Sequence, residues 1–206
     1  MIIQLRGTSG SGKSTAMRKF MARYDWEPHG PPNNPKSVPL YYTCGKIAVL
    51  GNYSNKIGGG WDTVPKPYTK QAFGSVGAAG YFNLCKKLLA DGFEYLICEG
   101  LMVSEDVRWT QLLPDVHCLF LTTPAEKCLE WVEKRRTEKG NAKSVHEKKE
   151  LSKTGKKKPT AAHRLYLRSR TIERARNKLL LAGVDCRRCT ANQAPEIITS
   201  WLADRS

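Results

Sequence analysis

Apolar and polar positions alternate along the chain in blocks of two kinds. Met1-Ile2-Ile3-Gln4-Leu5-Arg6 is short and β-branched, the pattern of a buried first strand, and Ala16 to Tyr24 carries apolar residues at helical spacing. Trp26 to Pro39 interrupts this with prolines at 28, 31, 32 and 35 and is expected to be a loop. Leu40 to Thr43 and Lys46 to Tyr53 read as two strands around a turn at Cys44-Gly45. Gln71 to Ala90 spaces Ala72, Val76, Ala79, Phe82, Leu84 and Leu88 as one helix, ending at Asp91-Gly92. Phe93 to Gly100 and Val116 to Thr123 are apolar runs of strand length, separated by a short helical stretch from Met102 to Leu113 that Pro114 stops. Pro124 starts another helix, and Pro159 opens a long one over 160–181 with Leu165, Ile172 and Leu179 seven apart. Gly183 to Arg187 is the last strand and Ala194 to Ala203 the closing helix.

Strands alternating with helices predict an α/β chain, a parallel sheet of about five strands between two helical layers. At 206 residues this suits a single domain over 1–206, carrying a basic lid and helix at about 134–178. No apolar run approaches the length that spans a bilayer and the first strand begins at once, so neither a membrane partner nor a leader is expected. Cys98 and Cys118 sit inside apolar runs as small hydrophobes. Cys186-Arg187-Arg188-Cys189 has redox or zinc spacing without a second ligand pair, which reads as incidental, and a reducing cytosol is expected.

Charge sharpens the picture. The net charge is +15, and Lys134 to Lys178 holds nearly all of it, with 17 Lys and Arg against four Glu. A site for a small anion needs only a few cations around it, whereas a reservoir of this size points to a polyanionic partner. Residues 139–158, almost without large apolar side chains, are expected to be mobile in the absence of ligand. On the following helix Tyr166, Arg170, Arg174 and Lys178 recur every four residues, one aromatic and three cations on one face. With Arg164 and Arg168 they predict a groove for phosphate backbones.

Between the first strand and helix, Gly7-Thr8-Ser9-Gly10-Ser11-Gly12-Lys13-Ser14-Thr15 fits G-x-x-x-x-G-K-[ST], with a strand before it and a helix after it. Such glycines let the backbone wrap a phosphate, and the helix N-terminus adds partial positive charge. Lys13 would neutralise the β and γ phosphates of ATP, and Ser14 would hold a magnesium ion (Mg2+) bridging them. Glu99 ends a buried strand at the edge where open parallel sheets bind ligands, and is expected to help organise the metal. At least one of Arg135 and Arg136 is expected to belong to a lid that stabilises charge on the transferred phosphoryl group. Thr190 to Gln193 stands where such folds hold the adenine. Trp61-Asp62 follows three glycines, and the local sequence leaves two readings open: a substrate-facing loop, or a connection in which Trp61 packs on the core and Asp62 caps a turn.

The order of phosphate loop, acid-ended central strand, strand-Thr-Pro-helix-Arg-Arg and final strand-helix resembles the nucleoside-monophosphate-kinase-like group of P-loop kinases. A narrower resemblance rests on the segments 1–15, Gly59-Gly60-Trp61-Asp62-Thr63 and Glu99-Gly100-Leu101-Met102-Val103-Ser104. These are similar to the bacteriophage kinases that phosphorylate 5-hydroxymethyluracil already incorporated in DNA, a step toward hypermodified thymine. Where that family carries Gly-Gly-Cys-Asp-Thr, this chain has Trp61 in the cysteine's place. The resemblance implies ATP and Mg2+ as cosubstrate and cofactor, DNA containing 5-hydroxymethyluracil as partner, and a place in the cytoplasm of an infected bacterium. It further implies that Asp62 accepts the acceptor proton, with Glu99 as the alternative, and that Trp61 stacks on an extruded base or fills its gap. Two other functions stay open: a kinase for deoxynucleoside monophosphates or polynucleotide 5′-hydroxyl ends, and a DNA-binding ATPase. Monomer and dimer are both compatible with the sequence.

Overall fold

The computed structural model of the chain describes residues 1–30, 38–54, 59–138 and 160–204, so the expected mobility of 139–158 and most of the basic lid lie outside the described residues. In chain order the elements are β1 (Ile2–Arg6), α1 (Lys13–Met21), β2 (Glu27–His29), β3 (Tyr41–Cys44), β4 (Ile47–Leu50), a 3-10 turn at Trp61–Thr63, α2 (Lys66–Phe73), α3 (Gly77–Ala90), β5 (Tyr95–Glu99), α4 (Leu101–Glu105), α5 (Arg108–Gln111), β6 (Val116–Leu121), α6 (Ala125–Glu138), α7 (Ala161–Leu181), β7 (Asp185–Cys189) and α8 (Ala194–Ala203).

They build one mixed sheet in the order β2-β3-β4-β5-β1-β6-β7. The five strands from β4 to β7 in that order are parallel, with β1 at the centre pairing Ile3 with Ile97 on one side and Gln4 with Cys118 on the other. The sheet thus has seven strands rather than about five. The expected strand 40–43 is there as β3, antiparallel to β4, and β2 extends it within the stretch expected to be a loop. Pro28 is tolerated in β2 because that strand is the sheet's edge.

Alternation along β1 divides the core. Ile2, with Leu96, Cys98 and Cys118, packs under α3, α4 and α7 through Leu84, Leu88, Val103, Ile172 and Leu179. Ile3 and Leu5, with Ile97 and Leu119, pack under α1 and α8 through Met17, Phe20, Ile198 and Trp201. The expected single helix 71–90 is two helices, broken where Gly74 and Gly77 take φ values of +68° and +66°. The stretch 102–113 also divides, because Arg6 draws the carbonyl of Asp106 inward between α4 and α5. All seven cysteines are free thiols, Cys186 and Cys189 included. Among the described residues no helix is long and apolar enough to cross a membrane.

Candidate active site

The loop 7–12 leaves β1 at the carboxyl edge of the sheet and enters α1 directly. Gly10 and Gly12 hold φ values of +83° and +93°, which a side chain resists, and both are crowded. A Cβ on Gly10 would stand 2.2 Å from the carbonyl oxygen of Cys128 on α6, and one on Gly12 would stand 2.8 Å from Ala191. The loop is therefore clamped between α6 and the turn 190–193. No side chain caps the N-terminus of α1, which leaves its first-turn N–H groups available to an anion.

Lys13 and Ser14 turn into this edge from the first turn of α1. The buried ammonium of Lys13 donates to the carbonyls of Gly7 (2.7 Å) and Thr8 (2.8 Å), and burial lowers its pKa. The Ser14 hydroxyl donates to Glu99 Oε1 at 2.6 Å. Glu99, at the end of β5, is 2% exposed. Gly60 lies directly against it, since a Cβ there would overlap the carboxyl group. The Thr8 hydroxyl donates to Cys128 Sγ at 3.4 Å, and the Ser11 hydroxyl is buried without a partner among the described residues. An ammonium, a hydroxyl and a carboxylate beside an uncapped helix start suit a polyphosphate with a hard cation, which prefers oxygen donors.

Burial pushes the Glu99 carboxyl from its ordinary 4.5 up to about 7, opposed by Lys13 and by the Ser14 hydrogen bond. An acid with a raised folded pKa holds a proton that the unfolded chain has released, so stability falls as pH rises through that window. The full loss is on the order of 3 kcal/mol. We predict that the melting temperature in a metal chelator falls between about pH 5 and pH 8, and that Glu99→Gln flattens this slope. Equal slopes in the two proteins would show that Glu99 titrates at its ordinary pKa.

A cleft of about 260 Å³ opens beside the loop, lined by Lys13, Ser14, Thr15 and Arg18 of α1 and by Trp131, Lys134, Arg135 and Glu138 of α6. Arg135 is thus on the cleft, while the side chain of Arg136 lies outside the described residues. Trp131 is the residue that the sequence pattern missed. Its spacing groups it with Cys128 and Val132 as packing, yet it is 45% exposed and faces the cleft.

Trp61 takes the core reading. It is 1% exposed, donates from Nε1 to the Gly77 carbonyl at 2.8 Å and meets Tyr81 edge-on, so it offers no face to a base. Asp62 is exposed at the rim and receives the N–H groups of Leu101 and Met102, capping α4. The cap still places its carboxylate at Gly100, the residue after Glu99. On α7, Leu165, Ile172 and Leu179 are buried, whereas Arg164, Arg168, Arg170 and Arg174 are exposed. Arg168 pairs with Glu105 at 3.7 Å and Arg170 lies over the Tyr166 ring. Arg164, Arg170 and Arg174 have no carboxylate partner among the described residues.

These features define a mixed α/β protein with a lysine–hydroxyl–carboxylate cluster at the carboxyl edge of its parallel strands. The chain is 32% identical over 145 residues to the 5-hmdU DNA kinase of Pseudomonas phage PaMx11, a match covering 66% of this chain and 69% of that one. It therefore belongs to the 5-hmdU DNA kinase family. No family model matches the chain, and no solved structure does.

Proposed function

We propose that this protein transfers the γ-phosphoryl group of ATP to the hydroxymethyl oxygen of 5-hydroxymethyluracil within DNA. The step belongs to thymine hypermodification in the cytoplasm of an infected bacterium. The observation that carries this reading is the match to a 5-hmdU DNA kinase over 66% of this chain and 69% of that one. The clustered Lys13, Ser14 and Glu99, in a loop of P-loop sequence on a parallel sheet, support a three-layer P-loop kinase as the framework.

The acceptor oxygen bonds to the γ-phosphorus as the bond from phosphorus to the β–γ bridging oxygen breaks, and ADP leaves. The loop 7–15 cradles the phosphates, Lys13 and Arg135 offset the charge spread over the moving group, and Arg136 follows it on α6. Ser14 and Glu99 would hold Mg2+, which neutralises phosphate charge when bound. Asp62 takes the acceptor proton: its carboxylate is exposed beside Glu99, and two N–H groups fix its position without using all its lone pairs. Arg164, Arg170 and Arg174, with Arg168, grip backbone phosphates while the target base leaves the stack.

The test uses γ-labelled ATP and Mg2+ with matched DNAs carrying thymine or 5-hydroxymethyluracil, alongside a mixture of deoxymononucleotides. Label retained only on the hydroxymethylated DNA supports the proposal. Label on mononucleotides or 5′ ends instead makes the protein a different kinase, and phosphate release without a labelled acceptor makes it an ATPase. Asp62→Asn removes the base but keeps only one acceptor oxygen for the Leu101 and Met102 N–H groups, which in the wild type fall on separate carboxylate oxygens, so part of the cap is lost with it. We expect a melting temperature lowered by no more than a weakened cap, about 1 kcal/mol, and a kcat lower by roughly 10²–10⁴-fold in the folded variant; near-normal turnover removes Asp62 as the base.

A further inference from the structure

A second cavity, of about 480 Å³, lies further along α1. Its size falls within the roughly 300–1,000 Å³ of small-molecule sites. The walls are Met21 of α1, Trp26, Pro28, Pro39, Tyr42 and Tyr53, and Arg18 belongs both to this cavity and to the cleft beside the phosphate loop. Ser14, Arg18 and Met21 follow one another at spacings of four and three on one face of α1, so Arg18, the first residue of the helix to line the cavity, stands about 6 Å along the helix axis from Ser14. Gly59 closes the other side of that junction: a Cβ there would stand 2.9 Å from the Tyr53 ring and 3.3 Å from Ser14 Cβ.

The aromatic walls are fixed in place. Trp26 donates from Nε1 to the Met21 carbonyl at 2.7 Å and packs on Phe20 and Tyr24, and the Tyr42 hydroxyl accepts the Tyr53 N–H at 3.1 Å. One polar group in the cavity wall is unused. The Tyr53 hydroxyl is buried and has no hydrogen-bond partner among the described residues, and burial raises its pKa, keeping it a donor. Rigid aromatic faces, an apolar lining and an unused buried hydroxyl suit a flat, uncharged ring with a carbonyl at its edge.

We propose that this cavity receives the extruded 5-hydroxymethyluracil base, its ring among Trp26, Tyr42 and Tyr53 and its hydroxymethyl group directed along α1 toward Ser14. The inference rests on the DNA-base kinase function and adds where the base sits. Tyr53 and Trp26 are then specificity residues that no part of the phosphate site requires.

Two variants test it without emptying the core. Ala22→Trp fills the cavity mouth from an exposed position next to Met21, and Tyr53→Phe deletes only the unpartnered hydroxyl. With an oligodeoxynucleotide bearing one 5-hydroxymethyluracil, each is expected to raise the KM for DNA by about tenfold or more, with the KM for ATP unchanged. Tyr53→Phe is also expected to leave the melting temperature unchanged or higher, since it removes a buried group that lacks a partner. Wild-type KM for DNA in both variants overturns the inference while leaving the function intact, and a raised KM for ATP alone reassigns the cavity to the nucleoside of ATP. Wild-type protein that labels no DNA instead overturns the underlying function, and the base site with it.

Discussion

Replacing Lys13 by methionine is expected to lower phosphoryl transfer by about a thousandfold or more, equivalent to roughly 4 kcal/mol of transition-state stabilisation. The side chain is buried, so its charge acts in a medium that screens poorly, and burial has already lowered the pKa of the ammonium. Its two partners in the ligand-free protein are main-chain carbonyls of the loop itself, Gly7 and Thr8. An anion arriving at the loop therefore exchanges two neutral acceptors for a charged one. Folding should suffer far less than catalysis. Methionine keeps the volume and removes a desolvated charge, while the two carbonyls lose a donor at about 1–3 kcal/mol each at most. The check is kcat with labelled ATP beside the melting temperature. Transfer within tenfold of wild type, in a folded variant, would place the reacting phosphates somewhere other than this loop.

What was legible in the sequence shares one property: the deciding residues are neighbours along the chain. The glycine loop, its strand and its helix occupy one continuous stretch, and Glu99 announces itself as an acid ending an apolar run. The segments that suggested the phage DNA kinases are equally local, and the relative from PaMx11 agrees with them. What the sequence left open or misread is decided by distant residues. Trp61 is buried because α3 presents Gly80 and Tyr81 to it and the Gly77 carbonyl takes its N–H, none of which its own loop encodes. β2 has no alternating pattern in Glu27-Pro28-His29, and it is a strand because β3 offers an edge to pair with. Trp131 obeys helical periodicity, but periodicity cannot say that one neighbour of that helix is a cleft rather than a core.

Arg6→Met carries the largest expected loss of stability, although nothing in the local pattern sets this residue apart from any other strand position. Arg6 is fully buried on the central strand, one residue before the glycine loop. Its guanidinium donates to Gln4 Oε1, to Thr110 Oγ1 at 2.6 Å, and to the carbonyls of Asp106 at 2.7 Å and Ser104 at 3.3 Å, and it lies over the Phe120 ring. These partners are up to 104 residues away and join β1 to the turn between α4 and α5. Methionine would remove the buried charge but leave the Ser104 and Asp106 carbonyls without this donor, at about 1–3 kcal/mol each, while Gln4 Oε1 keeps the Thr110 hydroxyl. The effect reaches the site through Ser104. Its carbonyl accepts from Arg6, and its hydroxyl accepts the Gly7 N–H at 3.1 Å where the loop begins. Urea unfolding should show a lower midpoint, and the KM for ATP should rise because that first loop residue loses its fixed position. A cycle with Thr110→Val should give a coupling above about 1 kcal/mol. A midpoint equal to wild type would mean that burial of this strand, rather than its arginine, holds α4 and the loop together.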